Sequence, residues 1–470
     1  MKVCSVCGLS FSQIQKNKVF GCPECFYTFE EEIKIAYNNL NISEKYSGSL
    51  PKRLKGYKSN LVGRVETQLK LQEAIKNEEY EKAALYRDYL NVLNNQKIEN
   101  GESEQSDEIN EEKLDATSKP WYSVAGFEED VIISSRLRIC RNLSDFMFPQ
   151  KLQSDEIERI RGLLLEAVNF ENDKNINFNF VDVKELSDQG KMILMERNIL
   201  SVENCDCVFM SENGNFFCRV CETDHVKLAA YQSGLSFQEL FEKVYFIDEK
   251  MQEKVQYAAN FDFGYTNSTL ENTGTGLKCS FVCHIPAIVF SNSLEEVAKV
   301  VTDHNLQIKS SFQNKYQHDF PIALFEISNE YCQKGTEFDQ LAEIISIASF
   351  ILKTERKIRT KLADNSKTVI LNFVKQSYAK GVSSLLLEYN ESLSLISALK
   401  FGLQCNFITG IEESTLNSLI YKLKQNHLEC LTQSYNFEFE KDIQHNRILQ
   451  IQRLRAVILQ EAIEKIQFSC

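Results

Sequence analysis

The chain has 470 residues, 43% hydrophobic and 11% aromatic, enough to bury one full-sized core and several smaller ones. A formal net charge of −13 argues against broad nucleic-acid or anionic-membrane binding and suits basic protein partners or plain solubility. No stretch approaches the roughly 18 uncharged apolar residues of a membrane helix, and the first residues form no signal-like apolar region, so a cytoplasmic protein without a membrane role is expected. Its 15 cysteines then point to reduced thiols and metal ligands more than to a disulfide framework.

In chain order, the first signal is Cys4-x-x-Cys7 and Cys22-x-x-Cys25. Each pair closes one short knuckle, and four thiolates converging on a tetrahedral ion predict Zn2+. Four protein ligands leave no open coordination position, so the ion is expected to be structural. Gly8 and Gly21 lie beside the knuckles, where the backbone must turn tightly, and Phe11, Phe20, Phe26 and Phe29 can supply a small core. From Leu69 to Leu93, the spacing of Leu71, Ile75, Ala83, Ala84, Leu90 and Leu93 predicts two helices with a turn at Asn77-Glu78-Glu79. The segment Gln96 to Lys119 carries eight acidic and three basic residues and no aromatic one, and reads as a disordered linker between an adaptor half and an enzyme-like half.

Beyond it, Val131-Ile132-Ile133 reads as a buried strand and Val282 to Phe290 as an apolar stretch interrupted by Pro286. From about Phe350 the pattern is helical. Leu395, Ile396, Leu399 and Leu403 share one face, as do Leu416, Leu419, Ile420 and Leu423, with Ser414 as an expected N-cap.

Several ordered motifs carry a resemblance. Gly21-Cys22-Pro23-Glu24-Cys25-Phe26-Tyr27-Thr28-Phe29 resembles the second zinc module of the McsA family of bacterial stress-kinase activators. Glu79 to Ala84 with Arg87-Asp88 resembles a UVR motif, a partner-binding helical hairpin. From Trp121 to Leu431 the chain resembles the bacterial protein-arginine kinases (McsB), within the ATP:guanido phosphotransferase family. The motifs that carry this are Ser134-Ser135-Arg136-Leu137-Arg138 with Arg141-Asn142-Leu143, Glu222 to Lys227, Phe263-Gly264-Tyr265, Asn272 to Leu277, and Ile327-Ser328-Asn329.

The resemblance implies a multidomain α+β protein. Its parts are a zinc module (1–54), a UVR-like hairpin (60–95), the acidic linker (96–119), a guanido-kinase-type antiparallel sheet flanked by helices (120–351), and an all-α dimerisation and recognition domain (352–470). It also implies ATP with Mg2+ as cofactors, held through Ser134, Ser135, Arg136, Arg138, Lys227 and Lys278. Homodimers are a further implication, as are partners in Clp-type chaperone and protease machinery or its repressor.

Phosphoryl transfer depends on preorganised cations and on a group that orients the guanidinium and takes its proton. Lys227 and Lys278 stand where the family has arginines, and lysine keeps the charge without the bidentate fork. Thr223 occupies the family's base position and Thr269 its thiol position, leaving Glu222 as the catalytic candidate. The family's R-G-x-x-G-E element has no recognisable copy in Gln307 to Tyr316, and of its R-D-x-x-R-A element only Arg455-Ala456 survives. A weak or inactive kinase acting as a zinc-containing regulator is therefore expected. An active arginine kinase carrying its own activator and a UVR-type scaffold remain the alternatives. Cys205, Cys207, Cys218 and Cys221 offer a lesser second metal site, and His225 and His284 read as packed side chains.

Overall fold

The computed structural model describes residues 2–40, 42, 45–55, 57, 64–101, 120–168, 178–201, 205–310 and 320–469. The zinc module contains three short helices, α1 (Phe11–Asn17), α2 (Cys25–Thr28) and α3 (Glu30–Asn39). The predicted hairpin is α4 (Arg64–Lys76) and α5 (Tyr80–Gly101), turning through Glu78 at φ 59°. Helix α5 runs on to Gly101, over the first residues of the segment read as linker; the rest of it, 102–119, lies outside the described residues.

The hairpin's apolar face is covered by the enzyme-like body. Ala74, Ala83, Tyr86 and Tyr89 join the largest hydrophobic core, and the rings of Tyr86 and Tyr89 pack 5.4 and 5.2 Å from that of Phe338.

That body is built on β1 (Ile132–Arg141), α6 (Ser154–Val168), β2 (Phe178–Asp182), α7 (Asp188–Glu196), β3 (Cys207–Ser211), β4 (Phe216–Val220), β5 (Val226–Ser233) and α8 (Phe237–Met251). It continues through β6 (Ala259–Asn260), β7 (Gly264–Tyr265), β8 (Leu277–His284), α9 (Pro286–Phe290), α10 (Leu294–Asp303), β9 (Leu306–Ser310) and β10 (Leu324–Asn329). Eight strands form one sheet in the order β2-β3-β4-β5-β1-β8-β10-β9, with every pairing antiparallel. The apolar run ending in Phe290 divides at Pro286, which opens α9 where the strand ends.

Strand alternation gives the sheet two different faces. Leu137 and Ile139 of β1 enter the main core with α8 and with α11 (Glu337–Asn365). Arg136 and Arg138 point to the opposite face.

Helix α11 crosses the boundary expected after residue 351 without a break. Its first half lies in the main core, while Ile358 and Leu362 pack against a second core formed by α12 (Lys367–Ser383), α13 (Tyr389–Gln404), α14 (Glu413–Lys422) and α16 (Arg447–Ile463). Helix α15 (Gln425–Ser434) and the small pair β11 (Ile408–Thr409) and β12 (Gln467–Phe468) complete this helical region. The N-cap of α14 is Glu412, and Ser414 sits inside its first turn. Among the described residues no helix is long and apolar enough to cross a membrane.

Polar contacts fasten the helical region to the start of β1. Arg356 and Arg359 bond Asp130 at 2.6 and 2.7 Å, and Lys400 donates to the Glu129 carbonyl at 2.9 Å.

Candidate functional site

The Sγ atoms of Cys4, Cys7, Cys22 and Cys25 all lie within 4.8 Å of one another. The separations are 3.5 Å for Cys4–Cys22, 3.3 Å for Cys7–Cys25 and 3.8 Å for Cys22–Cys25. Zn–S bonds of about 2.3 Å in a tetrahedron require edges of about 3.8 Å, so the cluster fits a four-thiolate zinc centre. Gly8 turns at φ +72°, as its place beside a knuckle demands. Gly21 is needed for room, because a Cβ there would meet the Cys7 Sγ at 2.7 Å. Cys205, Cys207, Cys218 and Cys221 form no such group among the described residues; the Cys205 thiol donates to the carbonyls of Cys207 and Val220.

On the polar sheet face, register decides which side chains meet. Arg136 stands opposite Tyr231 and Ser280, Arg138 opposite Lys278, and Cys140 opposite Lys227, which faces Arg219. Arg136, Arg138 and Lys278 have no carboxylate ion pair among the described residues, and the Nε atoms of both arginines are buried without a hydrogen-bond partner. Burial and the charge of Arg138 push the Lys278 ammonium below the usual lysine range.

Lys227 differs from the other three cations. Its ammonium lies 2.6 Å from the Glu222 carboxylate, which also takes a 2.6 Å bond from Arg219 and the hydroxyl of Ser201. Burial would raise the Glu222 pKa, but Lys227 and Arg219 outweigh it and hold it down to about 2. Sequence reasoning missed Arg219; its signal, one strand position before Val220, appears only once β4 is paired with β5.

A buried hub links the motifs. Asp224 accepts from Asn142 Nδ2 and the Ser268 amide, both at 2.8 Å, and from Asn272 at 3.3 Å, while Arg138 donates to Asn272 at 2.8 Å. His225 accepts the Leu143 amide at Nδ1 and reaches the Met147 carbonyl with Nε2; burial lowers its pKa to about 4. Both bonds hold the ring as neutral scaffold. The Thr223 hydroxyl oxygen is buried with no hydrogen-bond partner, and the Thr223 carbonyl receives the hydroxyl of Ser268, neighbour of Thr269. Thr223 and Thr269 therefore lie on touching loops.

The zinc module packs on that same side. The Phe20 amide donates to the Ser268 carbonyl at 2.8 Å, the Tyr37 hydroxyl to the Leu270 carbonyl at 3.3 Å, and the rings of Phe26 and Tyr37 pack at a tilt against Phe263. A Cβ on Gly264 would meet the Tyr46 ring at 2.5 Å, so glycine is required where the end of the module, beyond α3, crosses the Phe263-Gly264-Tyr265 turn.

Of the sequence-predicted residues, Ser134 and Arg136 line a cavity of about 340 Å³ beside the polar face, with Arg138 and Lys278 next along the sheet. Ser135 does not join them. It faces the other way, donating to the Gly234 carbonyl at 2.7 Å and accepting the Ser236 amide. Arg455 is also engaged internally, with Nε on the Leu423 carbonyl and Nη1 on that of Leu387.

Residues 159–358 match the profile of the ATP:guanido phosphotransferase C-terminal catalytic domain, residues 2–48 that of the McsA central zinc-finger domain, and residues 65–96 the UvrB/uvrC motif. The chain is a fusion of McsA-like and protein-arginine-kinase-like parts. The kinase-like part is 23% identical over 334 residues to a protein-arginine kinase of Halothermothrix orenii, covering 70% of this chain and 95% of that one. A protein-arginine kinase of Clostridium acetobutylicum matches at 25% over 328 residues, covering 69% and 95%. Among solved structures, the duplicated taurocyamine kinase from Schistosoma mansoni gives a TM-score of 0.44 at 16% identity, over 56% of this chain and 40% of that one. The McsA-like match and the four-cysteine cluster together make the metal of the N-terminal part zinc.

Proposed function

We propose that this fusion is a zinc-containing regulator of protein quality control whose kinase-like part binds ATP with Mg2+ but transfers phosphate to arginine poorly or not at all. The observation that carries nucleotide binding is the trio Arg136, Arg138 and Lys278, side by side on one sheet face without a carboxylate ion pair among the described residues and leading into the 340 Å³ cavity. Half-buried cations outside carboxylate ion pairs favour a polyanion, and a row of them matches the spread of charge along a triphosphate. Ser134 lies at the cavity end of the row.

Poor transfer follows from the acceptor side. Glu222 is spent on Arg219 and Lys227, so removing a guanidinium proton there would break two ion pairs around a carboxylate of low basicity. Neither Thr223 nor Thr269 ionises at neutral pH. The McsA-like and UVR parts are protein-interaction modules, and a cytoplasmic role with Clp-type machinery or its repressor, as a homodimer through the helical region, is the setting this combination fits.

One observation favours a second reading, an active kinase carrying its own activator: the zinc module bonds directly to Ser268 and Leu270, the neighbours of Thr269. Calorimetry with ATP, with and without Mg2+, beside phosphoarginine detection on a basic protein, separates these. Binding with background transfer supports the regulator. Turnover of roughly 1 to 100 per second establishes the kinase, and absence of nucleotide binding leaves only a scaffold.

A further inference from the structure

The cavity beside Arg136 has two walls, and the second does not come from the catalytic sheet. One wall is Arg136 and Tyr231 on β1 and β5, with Trp121 stacked on Tyr231 at 5.5 Å and an interplanar angle of 18°. The facing wall is Tyr421, Lys424 and His427, at the end of α14 and the start of α15. Tyr421 meets Trp121 edge-on at 5.0 Å and stacks on Tyr122 at 5.1 Å, so these rings form one aromatic cluster where the two walls join.

This second wall is fastened at the cavity rim. The Glu196 carboxylate, at the end of α7, accepts the amides of Asn426 and His427 at 2.8 and 3.0 Å, and the Lys424 ammonium donates to the Glu196 carbonyl at 2.9 Å. The hydroxyls of Ser134 and Tyr421 lie 3.3 Å apart and tie the two walls together where they meet. Burial pushes Lys424 and His427 below their usual ranges.

We propose that the helical region supplies the base-binding wall of the nucleotide pocket, with Tyr421 as the aromatic surface that holds a nucleobase while the cation row holds the phosphates. The proposal rests on the nucleotide reading above. The ligand class is a nucleoside triphosphate, since 340 Å³ lies in the range of small-ligand pockets and flat aromatic walls suit a flat base. Its consequence is coupling: the nucleotide touches both bodies, so occupancy stabilises the docking of α14 and α15 on α7, and that docking in turn sets nucleotide affinity.

The test is calorimetry on the full chain with two probes, Mg-ATP and inorganic tripolyphosphate, which carries the charge without the base. Tyr421→Ala is expected to weaken ATP roughly tenfold, the loss of one stacking surface, and to leave tripolyphosphate unchanged. Tyr421→Phe, which keeps the ring, should bind ATP as the unaltered chain does. Hydrogen exchange across residues 413–434 should slow on adding ATP and not on adding tripolyphosphate. If Tyr421→Ala weakens both probes equally or neither, or if the unaltered chain binds both equally, the base wall is wrong while the phosphate row stands. If the unaltered chain binds neither, the nucleotide reading itself falls and takes this inference with it.

Discussion

Glu222 shows how one residue changes meaning once its neighbours are known. In the sequence it is the surviving acid of a base motif; in the fold it is the shared counter-ion of Arg219 and Lys227. Supplying a base at the neighbouring position should therefore do little by itself. Thr223→Glu is expected to leave phosphoarginine formation at background, whereas combining it with Lys227→Arg, Lys278→Arg and Thr269→Cys should give detectable product on a basic protein by mass spectrometry. Strong product from the single variant would place the defect in the base alone. Glu337 makes a different single-residue argument. Its buried carboxylate accepts the Ser49 amide with both oxygens at 3.1 Å, and burial raises its pKa to about 7. Because the folded value lies above the unfolded one, the folded state holds a proton that the unfolded state has lost. Stability from this group therefore falls as pH rises from about 4.5 to 7 and is flat above. Glu337→Gln removes that slope while keeping an acceptor for Ser49. Comparing urea unfolding of the variant and the unaltered chain at pH 5 and pH 8 should show the variant gaining on the order of 2 kcal/mol at the higher pH. The comparison cancels the histidines, whose lowered pKa values act in the opposite direction over the same range.

At the scale of elements, the zinc knuckles were legible because all four ligands fall within 22 residues and their spacing carries the geometry. The two helices of the hairpin were legible from periodicity, and their turn from a run of polar residues that includes Glu78 at positive φ. The pairing of β4 with β5 was not legible, and with it went the partner of Glu222, since register between strands is fixed by packing and not by any local residue. Ser135 was read with its neighbours as a ligand, although strand alternation alone sends it to the face opposite Arg136 and Arg138. The boundary expected after residue 351 falls inside α11, where the helical signal is continuous and the two halves of one helix serve different cores. Zinc binding itself gives an element-scale prediction. The chain should hold one zinc, and Cys22→Ser should lose it and loosen α1 to α3, because for so small a module metal affinity is folding energy. Since Phe26 and Tyr37 pack on Phe263, hydrogen exchange at Ala259 to Gly274 should rise in that variant. Exchange unchanged there would mean the module and this loop do not depend on each other.

The whole molecule is more integrated than its composition implies. An acidic segment between two halves reads as separation, but composition says nothing about whether the flanking parts pack together, and here they share two hydrophobic cores. The hairpin gives Ala74, Ala83, Tyr86 and Tyr89 to the main core, and the zinc module shares its own core with Phe148 and Phe263 of the kinase-like part. Polar contacts support both: the Tyr86 hydroxyl donates to Asp339 at 2.6 Å, and Lys52 reaches Gln252 through its amide at 2.9 Å. A chain beginning at residue 120 would therefore expose Phe338 and Phe263 together, surfaces that cost roughly 25 cal/mol for each Å² returned to water. Its thermal midpoint should fall by several degrees relative to the full chain, and adding residues 1–101 as a separate polypeptide should restore part of the loss in proportion to concentration. The single change Tyr89→Ala isolates the hairpin contact, because this ring is 1% exposed and lies edge-on to Phe338. Truncating a buried aromatic of this size costs about 3 kcal/mol or more, so the variant should unfold at clearly lower urea concentration. A full-length midpoint unmoved by Tyr89→Ala and equal to that of the truncated chain would mean that the two halves are joined only by the chain between them.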